Sequence, residues 1–381
     1  MNRAVSLSPG FVPALPALTP AELLKAPCAG VFPFDQPGFV AYYFGRSAVF
    51  HALRSLSRGD RNQVLVPAYH HGVEVEAILQ AGNEIDFFRV NGRMEVDLKD
   101  LERRIRRRTG AIYLIYYLGF PQPVRQIQAL CRERGLLLVE DCALSLFSAF
   151  EDRPMGSFGD AAIFSFHKTL PVPNGGGLLL ASGSSAGLPK RRPPPWISTA
   201  SHTAGAILRG LKQKRPQRWG PIERTAKGAM SRLLSLGRVK RTSVGDAQFD
   251  LMKANWGASS LSARLFTRQD VPELIRRRRE NYNYLAGVLR GKADLLFQDL
   301  PKGVCPLFLP VLVDRKESVL DGLSKRGVEG VNFWSVRHPR LGEGLFPEVD
   351  DLRSHVLELP IHQGLSRSNL ERVAEAFLEV I

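Results

Sequence analysis

Cysteine is scarce in this chain of 381 residues, and its four copies are scattered. Cys28, Cys131, Cys142 and Cys305 form no pair with the short spacing of a zinc site or a redox motif. The sequence therefore predicts neither a disulfide framework nor a metal site. A reducing compartment suits such a chain, and the cytoplasm is the expected location.

Long apolar runs are also missing. A helix that spans a bilayer needs about 20 consecutive apolar residues, and the apolar stretches here are much shorter. Prolines interrupt the first twenty residues, MNRAVSLSPGFVPALPALTP, so they lack the apolar core of a signal peptide. The content of 44% apolar and 23% charged residues is that of a folded globular protein.

Acidic residues are almost absent from one segment. Between Lys190 and Arg241 lie fourteen Lys or Arg and a single acidic residue, Glu223, so this segment holds thirteen of the fifteen net positive charges. Because the basicity is local and no nucleic-acid motif accompanies it, we expect no nucleic-acid partner.

The basic segment is predicted to be a surface insertion at about 185–245, separate from the reaction site. Its simplest interpretation is a solvated face, and the alternative is an accessory surface attracted to an anionic membrane. In the second case an apolar side would support the contact. That side would consist of Ile207, Leu208, Leu211, Met230, Leu233 and Leu234.

Short apolar runs alternate with amphipathic stretches along the first half of the chain. The runs are VLVP (64–67), EIDFF (84–88), AIYLIYY (111–117) and LLLVED (136–141). This alternation predicts a mostly parallel sheet covered by helices on both faces. Beyond the basic segment, a long helical pattern, the strand VCPLFLPVLV (304–313) and two further helices predict a smaller α+β domain. The predicted divisions are a lead segment (1–35), a large domain (36–265) and a small domain (266–381).

Polar residues follow the apolar runs, where open α/β sheets bind their ligands. Asp141 ends the fourth run, His71 follows the first, and Lys168 follows the run AAIFSF (161–166); the tripeptide 45–47 opens a predicted helix. These residues supply a carboxylate, an imidazole, an amine and an anion cradle. A pyridoxal phosphate enzyme uses this set to hold the ring nitrogen, face the ring, link the cofactor covalently and bind its phosphate.

Two strings carry a resemblance to a known family. VEDCALSL (139–146) and GSFGDAAIFSFHKTLPVPNGGG (156–177) resemble the DegT/DnrJ/StrS sugar aminotransferases, which are fold-type I pyridoxal phosphate enzymes. The likeness extends from about Phe44 to the C-terminus. It implies an α/β fold with a mostly parallel mixed sheet between helices and a smaller C-terminal α+β domain. It also implies amino transfer from glutamate, or a similar donor, to a nucleotide-linked keto sugar in polysaccharide or secondary-metabolite biosynthesis.

The resemblance assigns roles by position. Lys168 corresponds to the lysine that binds the cofactor, Asp141 to the partner of the ring nitrogen and His71 to the group stacked on the ring. Asn255, in NWGASSLSARL (255–265), corresponds to a residue that reaches the phosphate of a neighbouring subunit, which implies a homodimer with shared active sites. The further cofactor-binding candidates are Gly45, Arg46, Ser47, Ser165 and, more weakly, Gln122.

Several positions depart from the family pattern. Lys168 follows Ser165 by three residues instead of five, although its spacing to the later glycines is the usual one. Leu144 replaces a polar residue, and Gly257 replaces an arginine. Two alternatives therefore stay open. The first is a sugar dehydratase; in the family such enzymes carry histidine in place of the lysine, and His167 lies next to Lys168 in this chain. The second is a catalytically degenerate member with a regulatory or scaffold role.

Overall fold

A seven-stranded mixed sheet forms the centre of the protein. The computed structural model describes residues 10–28, 30–56, 59–214 and 249–381. Within them, the strands of the first half of the chain are β1 (Phe39–Tyr42), β2 (Gln63–Pro67), β3 (Glu84–Phe88), β4 (Thr109–Ile115), β5 (Leu137–Asp141), β6 (Ala149–Phe150), β7 (Arg153–Pro154), β8 (Ala161–Ser165) and β9 (Gly176–Leu180). The large sheet has the order β1-β9-β8-β5-β4-β2-β3, and β6 and β7 form a separate hairpin.

Most neighbours in the large sheet are parallel. The pairs β2/β3, β2/β4, β4/β5 and β5/β8 are parallel, whereas β9 runs antiparallel to both β8 and β1. Every residue of β4 and β5 is buried, as is expected for central strands covered on both faces. The mostly parallel mixed sheet predicted from the apolar runs is confirmed.

Helices cover this sheet and continue into the second half of the chain. The following helices belong to the described ranges: α1 (Pro20–Leu24), α2 (Gly45–Ser55), α3 (Val73–Gln80), α4 (Leu98–Arg104), α5 (Val124–Arg134), α6 (Trp196–Lys214), α7 (Ser260–Phe266), α8 (Val271–Leu289), α9 (Lys316–Lys325), α10 (Pro347–His355) and α11 (Arg367–Leu378). Local sequence sets several ends. Asp97 and Asp270 cap α4 and α8 through backbone N–H groups, and Ser366 forms a capping box with Asn369 on α11.

A second, smaller sheet lies in the C-terminal part. Its strands are β10 (Asp294–Leu295), β11 (Phe308–Leu312), β12 (Val331–Asn332) and β13 (Val356–Pro360), in the antiparallel order β10-β11-β13-β12. Together with α9, α10 and α11 it forms the α+β arrangement that the sequence predicts. The exact domain boundaries stay a prediction.

The lead segment links the small sheet to α6. Val12 forms a parallel bridge with Val328 beside the small sheet, and the N–H of Ala14 donates to Glu329 Oε2 at 2.9 Å. Further along, the N–H of Leu18 donates to the carbonyl of Ala206 on α6 at 3.3 Å. These contacts hold residues 12–18 across the opening between the small sheet and α6.

Only the first half of the basic segment falls within the described residues. It folds into α6, a helix of 19 residues whose Ser198, Ser201 and Ala206 are buried. Trp196 and Ile207 are exposed. The apolar candidates Met230, Leu233 and Leu234 lie outside the described residues. Among the helices of the described ranges, none combines the length and apolarity needed to cross a bilayer.

Candidate active site

A cavity of about 610 Å³ lies where the carboxyl ends of the central strands meet α2, α6 and the small sheet. Nine residues were expected to form the site. Six of them line this cavity: Gly45, Arg46, His71, Asp141, Ser165 and Lys168. The topology therefore gathers residues that are up to 123 positions apart in the chain around one cavity.

Lys168 reaches the cavity from a tight turn directly after β8. Residues Phe166–Lys168 form one 3-10 turn, closed by the N–H of Thr169, which donates to the carbonyl of Phe166 at 3.0 Å. The side chain is half-buried, and it lines the cavity. Burial lowers the pKa of the Lys168 amine, while Asp141, Glu74 and Glu358 oppose that change. The short spacing from Ser165 is thus compatible with an amine inside the site.

Asp141 is fixed at the end of β5 by two hydrogen bonds. The Tyr113 hydroxyl donates to Oδ2 at 2.6 Å, and the N–H of Ala143 donates to Oδ1 at 2.8 Å. Burial raises the pKa of Asp141 to about 6, with a further contribution from Glu74. At neutral pH the group is a carboxylate in a fixed position, and it can accept a hydrogen bond from a ligand.

His71 presents a neutral ring to the cavity. Its backbone N–H donates to Oε1 of Glu74 at 2.8 Å, which fixes the loop before α3. Burial and the nearby cations Lys168, Arg46 and Arg353 lower the pKa of the ring to about 4. The ring lies edge-on to Trp334, with centroids 6.4 Å apart, and its buried Nδ1 has no hydrogen-bond partner within the described structure. A flat neutral ring with an unused nitrogen is thereby left for a ligand.

The first turn of α2 forms one end of the cavity. A Cβ atom on Gly176 would lie 2.3 Å from the backbone nitrogen of Gly45, so only glycine lets β9 pass this close behind the helix. Free N–H groups at a helix N-terminus attract anions, and Ser165 lines the same end. Ser47 is buried and is not part of the cavity wall.

The helix α6 supplies two wall residues that the sequence analysis did not select, His202 and Arg209. His202 Nδ1 lies 3.1 Å from the Tyr43 hydroxyl, and its ring packs near Phe44, the residue before α2. The basic segment is therefore not separate from the site, which corrects the prediction. The seven-residue spacing of His202 and Arg209 places them on one helix face, a signal that was present in the sequence.

Charges are divided between two ends of the cavity. Burial, together with the nearby Lys168, Arg209, His202 and Arg46, lowers the pKa of His167 to about 3, so basic side chains surround His167. The carboxyl groups of Asp141, Glu74 and Glu358 act on Lys168 from the other end. The site therefore offers a basic end for anions and an acidic end around the amine.

Gln122 is a correction to the predicted site. Its side chain accepts from the N–H of Val96 at 3.1 Å and donates to the carbonyl of Met94 at 2.8 Å. It lies at a different cavity. The glutamine thus fixes the loop before α4 and lies away from the candidate site.

Asn255 also lies outside the cavity wall of its own chain. Its carbonyl accepts from the N–H of Arg192 at 2.8 Å, while its buried Oδ1 has no hydrogen-bond partner in the part of the chain that the structure describes. The role expected from the resemblance, at the site of a second subunit, stays a prediction. Leu144 lines the cavity, so the wall is apolar where the family pattern has a polar group.

Comparison with known proteins identifies what this arrangement resembles. Residues 39–186 match the model of the DegT/DnrJ/EryC1/StrS aminotransferase family. The chain is 26% identical, over 88% of its length and 83% of the relative's, to a dTDP-4-dehydro-2,3,6-trideoxy-D-glucose 4-aminotransferase of Saccharopolyspora spinosa. It is 30% identical to a GDP-perosamine synthase of Vibrio cholerae over 43% of the chain and 42% of that relative.

Solved structures share the whole fold. The PseC aminotransferase of Helicobacter pylori, involved in pseudoaminic acid biosynthesis, superposes with a TM-score of 0.68 at 18% identity over 97% of this chain and 99% of that one. Spr1654 of Streptococcus pneumoniae, solved in its pyridoxal phosphate form, gives a TM-score of 0.67 at 18% identity over 97% and 98% of the chains. These similarities confirm the fold-type I aminotransferase architecture expected from the sequence.

Proposed function

The chain belongs to the DegT/DnrJ/EryC1/StrS aminotransferase family, and from that premise we propose that it transfers an amino group to a keto sugar with pyridoxal phosphate as its cofactor. The observation that carries the proposal is the presence of Lys168 and Asp141 in one cavity, at the acidic end, with an anion-binding helix N-terminus at the other. Amino transfer needs these three elements together.

The residues of the cavity fit this cofactor. Asp141 would hold the ring nitrogen, His71 would lie against the ring, and Lys168 would bind the cofactor covalently. The first turn of α2 with Ser165 would take its phosphate. The neutral His71 ring and the fixed Asp141 carboxylate support this placement. When bound, pyridoxal phosphate withdraws electrons and stabilises negative charge on the carbon next to the amine.

Lys168 is proposed to move the proton in the reaction. Because burial lowers its pKa, its Nζ is present as a free amine nearer to neutral pH than an exposed lysine would be. A positioned free amine takes a proton from one atom and returns it to another. Asp141 and Glu74 limit this lowering, so the amine regains its proton readily.

The substrates are assigned by class. Glutamate, or a similar donor, would supply the amino group, and a nucleotide-linked keto sugar would accept it. The relative from S. spinosa is named for a dTDP-linked keto sugar. The basic end of the cavity, with Arg46, His202 and Arg209, suits the phosphate groups of such a substrate or the carboxylates of the donor.

The contrast between Lys168 and His167 favours amino transfer over sugar dehydration. A dehydratase of this family would need a histidine in the position of the lysine. His167 approaches the hydroxyl of Ser165, at 3.4 Å, and lies among the cations, whereas Lys168 lies near the carboxyl of Asp141. Lys168 is thus the residue placed to work with Asp141.

Two further parts of the proposal concern partners. In a homodimer, the side-chain NH2 group of Asn255 would donate to the cofactor phosphate in the site of the partner subunit. A cytoplasmic protein of this charge could also contact an anionic membrane surface. The exposed Trp196 and Ile207 on α6 support that contact.

The visible absorption spectrum of the purified protein tests the proposed function. The protein loaded with pyridoxal phosphate should show the band of a lysine-bound cofactor, lose it on addition of glutamate, and regain it on addition of a nucleotide-linked keto sugar. A scaffold or regulator would show no change with any amino donor.

A further inference from the structure

A buried carboxyl group faces the cavity from the small sheet and has no hydrogen-bond partner among the residues that the structure describes. Glu358, on β13, is 1% exposed and lines the cavity. Neither Oε1 nor Oε2 has a partner in the described parts of the chain. Buried polar groups in folded proteins are nearly always hydrogen-bonded, so an exception calls for an explanation.

The position of Glu358 is fixed by its backbone. In the small sheet it pairs with Pro310 of β11 on one side and with Val331 of β12 on the other. The side chain therefore leaves a rigid central strand towards the cavity. Phe333 and Trp334 form the neighbouring wall, with rings stacked 4.4 Å apart.

A structural role for Glu358 would call for a salt bridge, and Glu358 forms none with the described residues. Lys316 is buried near Glu358, close enough to affect its pKa. Its Nζ nevertheless donates to the carbonyls of Phe333 at 3.0 Å and Arg353 at 2.9 Å. The available cation is thus held by backbone oxygens, and the carboxyl group stays open to the cavity.

The protonation state of Glu358 defines what it can bind. Burial raises the pKa of its carboxyl well above the ordinary value, and Lys168 and Lys316 only partly oppose this. The carboxyl therefore holds its proton more tightly than an exposed glutamate does. A protonated carboxyl donates one hydrogen bond and accepts another.

We propose that Glu358 is a specificity-determining residue that binds a hydroxyl group of the sugar substrate. A hydroxyl group also donates one hydrogen bond and accepts another, so it can form both bonds with the carboxyl group. The amino donor instead carries carboxylates, which the basic end around Arg46 and Arg209 attracts. The wall of Phe333 and Trp334 provides the flat apolar surface on which sugar rings pack. This inference rests on the proposed function and adds the substrate group that the small sheet recognises.

Two variants in the full-length, cofactor-loaded protein test the proposal. Glu358→Gln keeps one donor and one acceptor, whereas Glu358→Leu removes both. The probes are dTDP-4-dehydro-6-deoxy-D-glucose and its 2,3,6-trideoxy counterpart. For the first sugar, Glu358→Leu should lower kcat/KM roughly 10- to 100-fold, mainly through KM, and Glu358→Gln should stay within about threefold. For the trideoxy sugar the leucine variant should lose little, because the ring hydroxyls are gone.

The half-reaction with glutamate separates substrate binding from proton transfer. In a single turnover without sugar, both variants should lose much less rate than Glu358→Leu loses with the hydroxylated sugar, because glutamate carries no hydroxyl group for Glu358 to bind. A large loss in this half-reaction would mean that Glu358 acts on Lys168 rather than on the sugar, and would overturn the proposal. So would equal losses with the hydroxylated and trideoxy sugars. If the wild type shows no spectral response to any donor, the proposed function fails instead.

Thermal unfolding of the cofactor-free protein gives a test that needs no substrate. Removing an unsatisfied buried carboxyl should stabilise the protein, so Glu358→Leu should raise Tm by several degrees. Glu140 is the matched control, a buried glutamate that accepts from Tyr116 and from three backbone N–H groups. Glu140→Leu should lower Tm. A fall in Tm for Glu358→Leu as well would show a structural role and overturn the proposal.

Discussion

The hydroxyl of Tyr113 donates a hydrogen bond to Oδ2 of Asp141 at 2.6 Å. Tyr113 lies on β4 and Asp141 at the end of β5, so the bond joins two adjacent parallel strands. Because both groups are buried, burial raises the pKa of Tyr113 well above its ordinary value, and the phenol stays a donor. The carboxylate on which the proposed chemistry depends is therefore oriented by the sheet itself.

Lys168→Ala should abolish the covalent attachment of pyridoxal phosphate. Lys168 is the lysine that the described cavity wall contains, so borohydride reduction followed by mass spectrometry should find no labelled peptide in the variant. Thermal unfolding serves as the control and should change by only a few degrees. A label on a different lysine would show that the lysine has been assigned to the wrong position.

Asp141→Asn should slow the half-reaction with glutamate by about 100-fold or more, since an amide cannot hold the ring nitrogen in its protonated form. Some cofactor should still bind through the phosphate end. Stopped-flow absorbance measures the rate, and Tyr113→Phe is the companion variant. Tyr113→Phe removes the hydrogen bond that orients Asp141 but keeps the carboxylate. It should therefore slow the half-reaction less than Asp141→Asn does. Near-normal turnover of Asp141→Asn would rule out the assigned role.

Asp141→Asn should also change how the stability of the protein depends on pH. Asp141 has a pKa of about 6 in the folded, cofactor-free protein against an ordinary value of 3.8, so the folded state binds this proton more tightly than the unfolded state. Stability from this group is present below pH 4 and is lost as pH rises towards 6. Between pH 4 and pH 6 the wild type should therefore lose up to about 3 kcal/mol of unfolding free energy relative to Asp141→Asn. Urea denaturation of the cofactor-free proteins measures it, and a constant difference from pH 4 to pH 7 would contradict the shifted pKa.

Arg209→Ala should weaken binding of the anionic substrate. Arg209 lines the basic end of the cavity, and loss of a charge-assisted contact should raise KM roughly tenfold. Lys212→Ala is the matched control. It removes the same charge from the same helix at a side chain that lies over the ring of Phe11, at 3.9 Å, and outside the cavity wall. Equal KM values for the two variants would show that Arg209 does not bind the substrate.

Membrane contact is tested by co-sedimentation with liposomes. Binding should require anionic lipid and weaken at high salt, because each basic residue near the surface contributes roughly 1 kcal/mol of screened attraction. The informative variant replaces the Lys and Arg of residues 215–241 with Gln and keeps α6, which lines the cavity. Its absorption spectrum should match the wild type. Unchanged sedimentation of this variant would exclude the basic residues of 215–241 as the membrane contact.

The sequence by itself determined the elements of the large domain and the centre of the site. The apolar run at 64–67 lies on β2 and the run at 111–117 covers most of β4, because a buried parallel strand requires apolar side chains on both faces. The run at 84–88 forms β3 at the edge of the sheet. Lys168 and Asp141 could be found because strand ends carry ligands, and both follow apolar runs. Local pattern and family spacing were sufficient at these positions.

Only the tertiary structure decided which distant residues complete the cavity. His202 and Arg209 lie in a segment whose composition suggests a solvated surface, and they enter the wall because α6 packs against Tyr43 and the lead segment. Gln122 has the right residue type, yet its amide is taken by the backbone near Met94. Glu358 looks like one more strand residue until its two oxygens are found buried without partners in the described structure. These outcomes depend on packing and hydrogen bonds between residues far apart in the chain, which no local pattern encodes.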